Sequence, residues 1–278
     1  MDRIKVTFIF SEVEPWNEVA IAALSEIGFD SFVELENGVE AYINENEFNE
    51  RNLEEGVLQE IKEHTQTNVF VEKIPFQNWN AVWESDFNPV FVEDKLTILA
   101  PFHDQSLAVG LPIVIQPQMS FGTGHHQTTW MMSKLLLELE DLPIKVLDMG
   151  TGTGVLAILA EKLGAKEILA IDIEPWSVDN TIENAERNNC HNIKALCGDI
   201  DLIEGEKFDL ILANINKNIL KSHMKFYAYA LDKNAKIALS GFFDTDSEEI
   251  IRYAEQYGLI FDSKIVKETW AALILVKN

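Results

Sequence analysis

Residues 145–164 read KVLDMGTGTGVLAILAEKLG. Val146, Leu147 and Met149 form a short apolar run around Asp148, the pattern of a strand buried on both faces. Gly150, Gly152 and Gly154 then break the run. Apolar residues resume at Val155 with the length and composition of a helix, which Gly164 ends. A glycine-rich turn between a buried strand and a helix is where open α/β folds receive nucleotide-like ligands. Glycine lets a ligand approach the backbone, and the helix amino end offers N–H groups and a partial positive charge.

The alternation continues outward from this turn. EILAID (167–172), NIKALCGD (192–199), FDLILAN (208–214) and AKIALSG (235–241) read as further strands. Helical patterns lie between them at 177–189, 217–231 and 246–257, and another precedes the turn at about 127–140. Nearly continuous apolar strands between helices predict a mostly parallel, doubly wound sheet covered on both faces. The last two strands, 259–266 and 270–276, are joined only by Lys267 to Thr269. A parallel crossover needs a dozen or more residues, so this pair must be antiparallel.

The amino-terminal part has a different rhythm. IKVTFIF (4–10) reads as a strand, and a helical pattern follows from Pro15 to Ile27. Two short strands surround Asn37-Gly38, a hairpin signal. Helical spacing returns over 47–64, and NVFVEKI (68–74) closes the unit as a strand. The order β-α-β-β-α-β predicts a small α+β ferredoxin-like domain over 1–74. Residues 75–118 are expected to connect it to the larger domain, 119–278. This connector is dense in aromatics (Trp79, Trp83, Phe87), for which packing against a domain is the first expectation.

Composition narrows the function. The 278 residues carry 22 Lys+Arg and 46 Asp+Glu, a formal net charge of −24. Half of this charge lies in 1–74, with 5 basic and 17 acidic residues. Such a surface repels phosphate, so no direct nucleic-acid binding is expected, whereas a basic protein partner suits it. The longest apolar stretch, 107–115, is far short of the about 20 residues a membrane span needs. The first residues carry acid within and after a short apolar run, unlike a signal peptide. Two cysteines, Cys190 and Cys197, fit reduced thiols, and the expected location is cytoplasmic.

Three clusters carry candidate chemistry. The turn itself is G-x-G-x-G, shorter than the G-x-G-x-x-G of dinucleotide sites. Asp172 ends the next strand, 22 residues after Gly150, where a carboxylate can accept two hydrogen bonds from a ribose diol. A short loop suits a ligand without pyrophosphate, and S-adenosylmethionine is one. Its carboxylate would face loop N–H groups and its ammonium would meet carbonyls or Asp148. Asp199, beyond the third strand, would contact the adenine or simply serve a turn. The second cluster is FGTGHHQTT (121–129), in which Thr128 or Thr129 would cap the following helix or touch the ligand. The tandem histidines His125 and His126 lack neighbouring ligands at metal spacing, so no metal is assigned. The third is Ala213-Asn214-Ile215-Asn216-Lys217 at the end of the fourth strand, where Asn214 would orient a methyl-accepting nitrogen, order the Phe121 loop or cap the next helix.

FGTGHHQTT, VLDMGTGTGVLAI, IDIEPWSVDNTIENA and LILANI, in that order over 119–241, resemble the family of methyltransferases that modify large-subunit ribosomal protein eleven. NWNAVWESDFNPVFVEDKLTILAPF (78–102) is more weakly similar to that family's connecting segment. The resemblance implies a class I, Rossmann-like methyltransferase domain and makes the acidic amino-terminal unit a substrate-recognition domain. It implies S-adenosylmethionine as cofactor, a basic ribosomal protein as partner, and lysine or amino-terminal amines as acceptors. Its cofactor positions fall on Thr129, Gly150, Asp172 and Asn214, separated by 21, 22 and 42 residues. Thr151 stands where the family often has Cys, and Asn216-Lys217-Asn218 replaces a small apolar run. Asn-Pro-Pro-Tyr, which relatives that methylate glutamine amides carry at this strand end, is missing. The competing readings are an NAD-dependent oxidoreductase and a non-catalytic Rossmann-like binding module. The first predicts a longer glycine loop. The second sits poorly with the presence of both Asp172 and Asn214.

Overall fold

The computed structural model describes residues 2–76, 79–118, 120–139 and 143–278, leaving aside the side chains of 79–82. The chain divides into two compact units, Met1–Asp86 and Phe87–Asn278. The division falls between the boundaries expected from the sequence, 74 and 118.

The first unit contains β1 (Arg3–Phe10), α1 (Trp16–Glu26), β2 (Ser31–Leu35) and β3 (Gly38–Asn44). Next comes a helical run of α2 (Glu50–Asn52), a π-helical Leu53–Leu58 and α3 (Gln59–His64), then β4 (Thr67–Ile74) and α4 (Trp79–Asp86). The sheet order is β2-β3-β1-β4, antiparallel throughout, as in a ferredoxin-like sandwich. Alternate residues of β1 (Ile4, Val6, Phe8, Phe10) point into one core with Ala20, Leu24, Leu53 and Ile61 of the helices. The β2–β3 hairpin differs in detail from its sequence signal. Leu35 pairs with Gly38, so the turn is Glu36-Asn37. Gly38 instead belongs to β3, where a Cβ would overlap the carbonyl oxygen of Phe8 on β1.

The second unit opens with a three-stranded sheet, β5 (Val90–Val92), β6 (Leu96–Leu99) and β7 (Leu111–Val114). Its Val92, Leu96, Ile98 and Ile113 share a core with Met131 and Met132 of α5 (Gln127–Leu137) and with the following helix, so most of the expected connector is a wall of this unit. The aromatic packing expected of that stretch is seen at Phe87, whose ring meets Phe102, His103 and His125. Trp83 is half exposed, and the side chain of Trp79 lies outside the described residues, as does residue 140 at the expected end of α5.

The main sheet follows: β8 (Lys145–Met149), α6 (Val155–Leu163), β9 (Glu167–Asp172), α7 (Pro175–Arg187), β10 (Ile193–Cys197), β11 (Phe208–Asn214), α8 (Lys217–Ala230), β12 (Leu231–Phe243), α9 (Ser247–Glu255), β13 (Leu259–Lys267) and β14 (Trp270–Lys277). The strand order is β10-β9-β8-β11-β12-β14-β13. The first five strands are parallel, and β14 runs antiparallel between β12 and β13. This is the class I methyltransferase architecture, with the antiparallel hairpin the short 267–269 link requires. The pleat explains the apolar runs. Val146, Ala170, Leu210 and Ala238 face α5 and α6, while their neighbours Leu147, Ile171, Ile211 and Ile237 face α8 and α9. No described helix is long and apolar enough to cross a membrane.

Candidate active site

A cavity of about 450 Å³ opens at the carboxyl ends of β8, β9, β10 and β11. The strand order reverses between β9-β8 and β8-β11, so this is the crevice where doubly wound sheets bind their ligands. Gly150, Gly152, Asp172, Asp199 and Asn214 all line it, together with Phe121, Trp176, Ile219 and His223.

The glycine turn is shaped by its own hydrogen bonds. Gly150 and Thr151 N–H donate to the Ile171 carbonyl at 2.8 and 3.1 Å. Gly152 N–H donates to Asp172 Oδ2 at 2.9 Å. Thr153 N–H donates to the Phe121 carbonyl and Gly154 N–H to the Thr151 carbonyl, both at 2.9 Å. Every N–H from 150 to 154 is therefore engaged within the protein, which corrects the expectation that they would face a ligand carboxylate. The glycines serve close packing within the protein instead. At Gly150 a Cβ would collide with the Ile215 side chain, and at Gly152 (φ +57°) with the Phe121 carbonyl. A pyrophosphate, which needs free N–H donors, finds none in these five residues.

Asp148 also departs from expectation. It is 1% exposed and does not line the cavity. Its Oδ2 accepts from Thr151 Oγ1 at 2.8 Å and from the Ala157 amide of α6 at 3.2 Å, so it holds the turn from behind. Burial pushes its carboxyl up to about 7, against the pull of those two donors and helped by the nearby Asp172 charge.

Asp172 faces the cavity at the end of β9. Oδ1 accepts from the Glu174 amide at 3.1 Å, and Oδ2 takes the Gly152 amide. Each oxygen retains a lone pair for a diol. Asp199 follows β10, where Oδ1 accepts the Ile200 amide at 2.7 Å and starts a short 3₁₀ turn. Asp199 thus fills the turn role while still lining the cavity.

Asn214 ends β11. Its Nδ2 donates to Thr129 Oγ1 at 3.4 Å, while its Oδ1 is buried with no partner among the described residues. Asn214 lines the cavity, and a buried amide oxygen without a donor is open to one brought by a ligand. Thr129 is fully buried on α5 and is absent from the cavity wall; its hydroxyl meets Asn214 instead. The helix caps also fall elsewhere than expected. His126, not a threonine, caps α5, its Nδ1 accepting from the Thr128 amide at 3.2 Å and hydroxyl at 2.8 Å. Asn216, not Asn214, caps α8 through the amides of Asn218 and Ile219. His125 turns away to the Asn88 carbonyl. No cluster able to hold a metal occurs among the described residues.

Phe121 overhangs the cavity, 53% exposed, and its segment is locked to the glycine turn twice. Besides the Thr153 amide bond, Thr153 Oγ1 donates to the Gly122 carbonyl at 2.7 Å. His223 carries no signal in the sequence. A single histidine among the mixed residues of α8 gives no periodic signal, and only tertiary structure brings it to the cavity.

Residues 17–278 match the protein family described as ribosomal protein L11 methyltransferase (PrmA). A ribosomal protein L11 methyltransferase of Phocaeicola vulgatus is 40% identical over 276 residues, covering 98% of each chain. One of Porphyromonas gingivalis is 40% identical over 262 residues, covering 91% of this chain and 88% of that protein. The crystal structure of a ribosomal protein L11 methylase from Lactobacillus delbrueckii subsp. bulgaricus aligns with a TM-score of 0.63 and 28% identity, covering 69% of this chain and all of that one.

Proposed function

The chain belongs to the ribosomal protein L11 methyltransferase family, and on that premise we propose that it methylates lysine or amino-terminal amines of ribosomal protein L11 in the cytoplasm. The acidic first unit recognises this basic substrate, and the cavity of the second unit holds S-adenosylmethionine. The observation that carries the reading is the unpartnered Oδ1 of Asn214, buried on the wall of a cavity that Asp172 also lines.

S-adenosylmethionine fits the residues present. Gly150 and Gly152 line the cavity without a side chain to intrude on it, and Asp172 keeps acceptor capacity for the ribose. The turn offers no free N–H to a pyrophosphate, which disfavours a dinucleotide. When bound, the cofactor supplies a methyl group already activated by positive sulfur. The protein's part is alignment and exclusion of water. Asp172 grips the sugar and Asp199 meets the base. Thr129 acts indirectly by holding Asn214. Asn214 Oδ1 accepts an N–H of the neutral amine and so aims the nitrogen lone pair. Phe121 covers the reacting end.

The test incubates the purified protein with L11 and radiolabelled S-adenosylmethionine, followed by mass spectrometry of L11. Methyl groups on lysine or amino-terminal nitrogens are expected. Label confined to another ribosomal protein, or none on L11, would overturn the substrate assignment.

A further inference from the structure

His223 reaches the cavity from α8 and has no part in the chemistry above. It is 6% exposed, and its two ring nitrogens face different partners. Nδ1 lies 3.2 Å from the hydroxyl of Tyr227, one helical turn further on. Nε2 lies 3.3 Å from Asp199 Oδ1.

Chemistry selects one arrangement of protons. Tyr227 is fully buried, and burial raises its hydroxyl pKa, so it remains O–H and needs an acceptor. Nδ1 of a neutral imidazole is that acceptor, which places the ring hydrogen on Nε2, toward Asp199. The other tautomer would leave the buried phenol proton unmatched and present a nitrogen lone pair to a carboxylate. Burial holds His223 below the ordinary histidine range, with the Asp199 charge opposing, which favours the neutral ring.

Asp199 is itself 56% exposed, and an exposed aspartate ordinarily samples several rotamers. Here Oδ1 takes the Ile200 amide at 2.7 Å and lies beside Nε2 of His223. With one oxygen tethered, Oδ2 is the atom left for a ligand. We propose that Tyr227 and His223 are positioning residues that orient Asp199 so that it selects a purine with an exocyclic 6-amino group over one with a 6-oxo group. The inference rests on the reading of this cavity as the adenosyl site and adds a determinant of base specificity to it. An adenine amino group donates to Oδ2. A 6-oxo group in its place sets two acceptors against each other, a mismatch that costs binding once the base covers Asp199.

The test is calorimetric binding of S-adenosylhomocysteine and S-inosylhomocysteine to the full-length protein, with melting temperatures recorded for every variant. The unsubstituted protein is expected to prefer the adenosyl ligand by about a hundredfold or more. In Tyr227→Phe and His223→Leu that preference should shrink at least tenfold, more than the adenosyl affinity itself falls. His223→Gln, whose amide can still donate, should restore part of it. An unchanged preference in both Tyr227→Phe and His223→Leu would overturn the positioning role. Adenosyl binding without preference in the unsubstituted protein would remove Asp199 from the base. Failure of the unsubstituted protein to bind either ligand would instead overturn the adenosyl site.

Discussion

The amide of Gly152 donates to the carboxylate of Asp172 across 2.9 Å, so the glycine turn and the acid at the end of β9 form one hydrogen-bonded unit. Asp172→Ala should weaken S-adenosylhomocysteine binding at least tenfold by calorimetry, about 1.4 kcal/mol or more. Asp172→Asn keeps an acceptor for Gly152 but loses the charge, so it should fall between the two. Unchanged affinity in Asp172→Ala would remove Asp172 from the ribose.

Asn214 separates binding from turnover. If its unpartnered oxygen serves the acceptor amine, Asn214→Ala should lower kcat by roughly 10- to 100-fold, the range of a single orienting contact. Cofactor affinity should change by less than about threefold, a fraction of one hydrogen bond. Single-turnover methyl transfer alongside calorimetry checks both. A loss confined to cofactor binding would assign Asn214 to the cofactor alone.

Asp148 makes a pH-dependent contribution to stability. Its carboxyl is raised from 3.8 to about 7 in the folded chain, so folding favours its protonated form. The stabilisation is complete below pH 3.8 and is lost as pH rises toward 7, by ~4 kcal/mol in order of magnitude at 1.36 kcal/mol per unit. Asp148→Asn stays neutral and keeps an acceptor for Thr151 and Ala157. Its stability advantage over the unsubstituted protein should be smallest near pH 4, grow to pH 7 and then level off. Urea titrations across that range read the difference, and a pH-independent difference would contradict the raised pKa.

The two units have separate cores. A chain beginning at Phe87 should therefore retain S-adenosylhomocysteine affinity within about threefold, because no described residue of the cavity wall precedes Ser120. It should lose methylation of L11 if the acidic unit is the docking element. Full activity of the truncated chain would exclude that role.

The strand–turn–helix at 145–164 was legible because a buried parallel strand needs an unbroken apolar run and glycines punctuate it. Asp172 was legible because it ends such a run. What sequence could not show depended on which surfaces meet. The apolar residues of β5 to β7 look alike whether they pack in a linker or against α5. The turn amides look free until Ile171, Asp172 and Phe121 come to them. Asn214 and Asn216 are equally good caps on paper, and backbone geometry alone assigns the cap to the second. His223 needed the approach of α8 to Asp199 before it meant anything.

The double lock between Phe121-Gly122 and Thr153 has a kinetic consequence. Lifting the Phe121 segment as a flap would break both bonds and disturb the turn beneath it. The aromatic side chain is then carried on a segment held as rigidly as the turn itself.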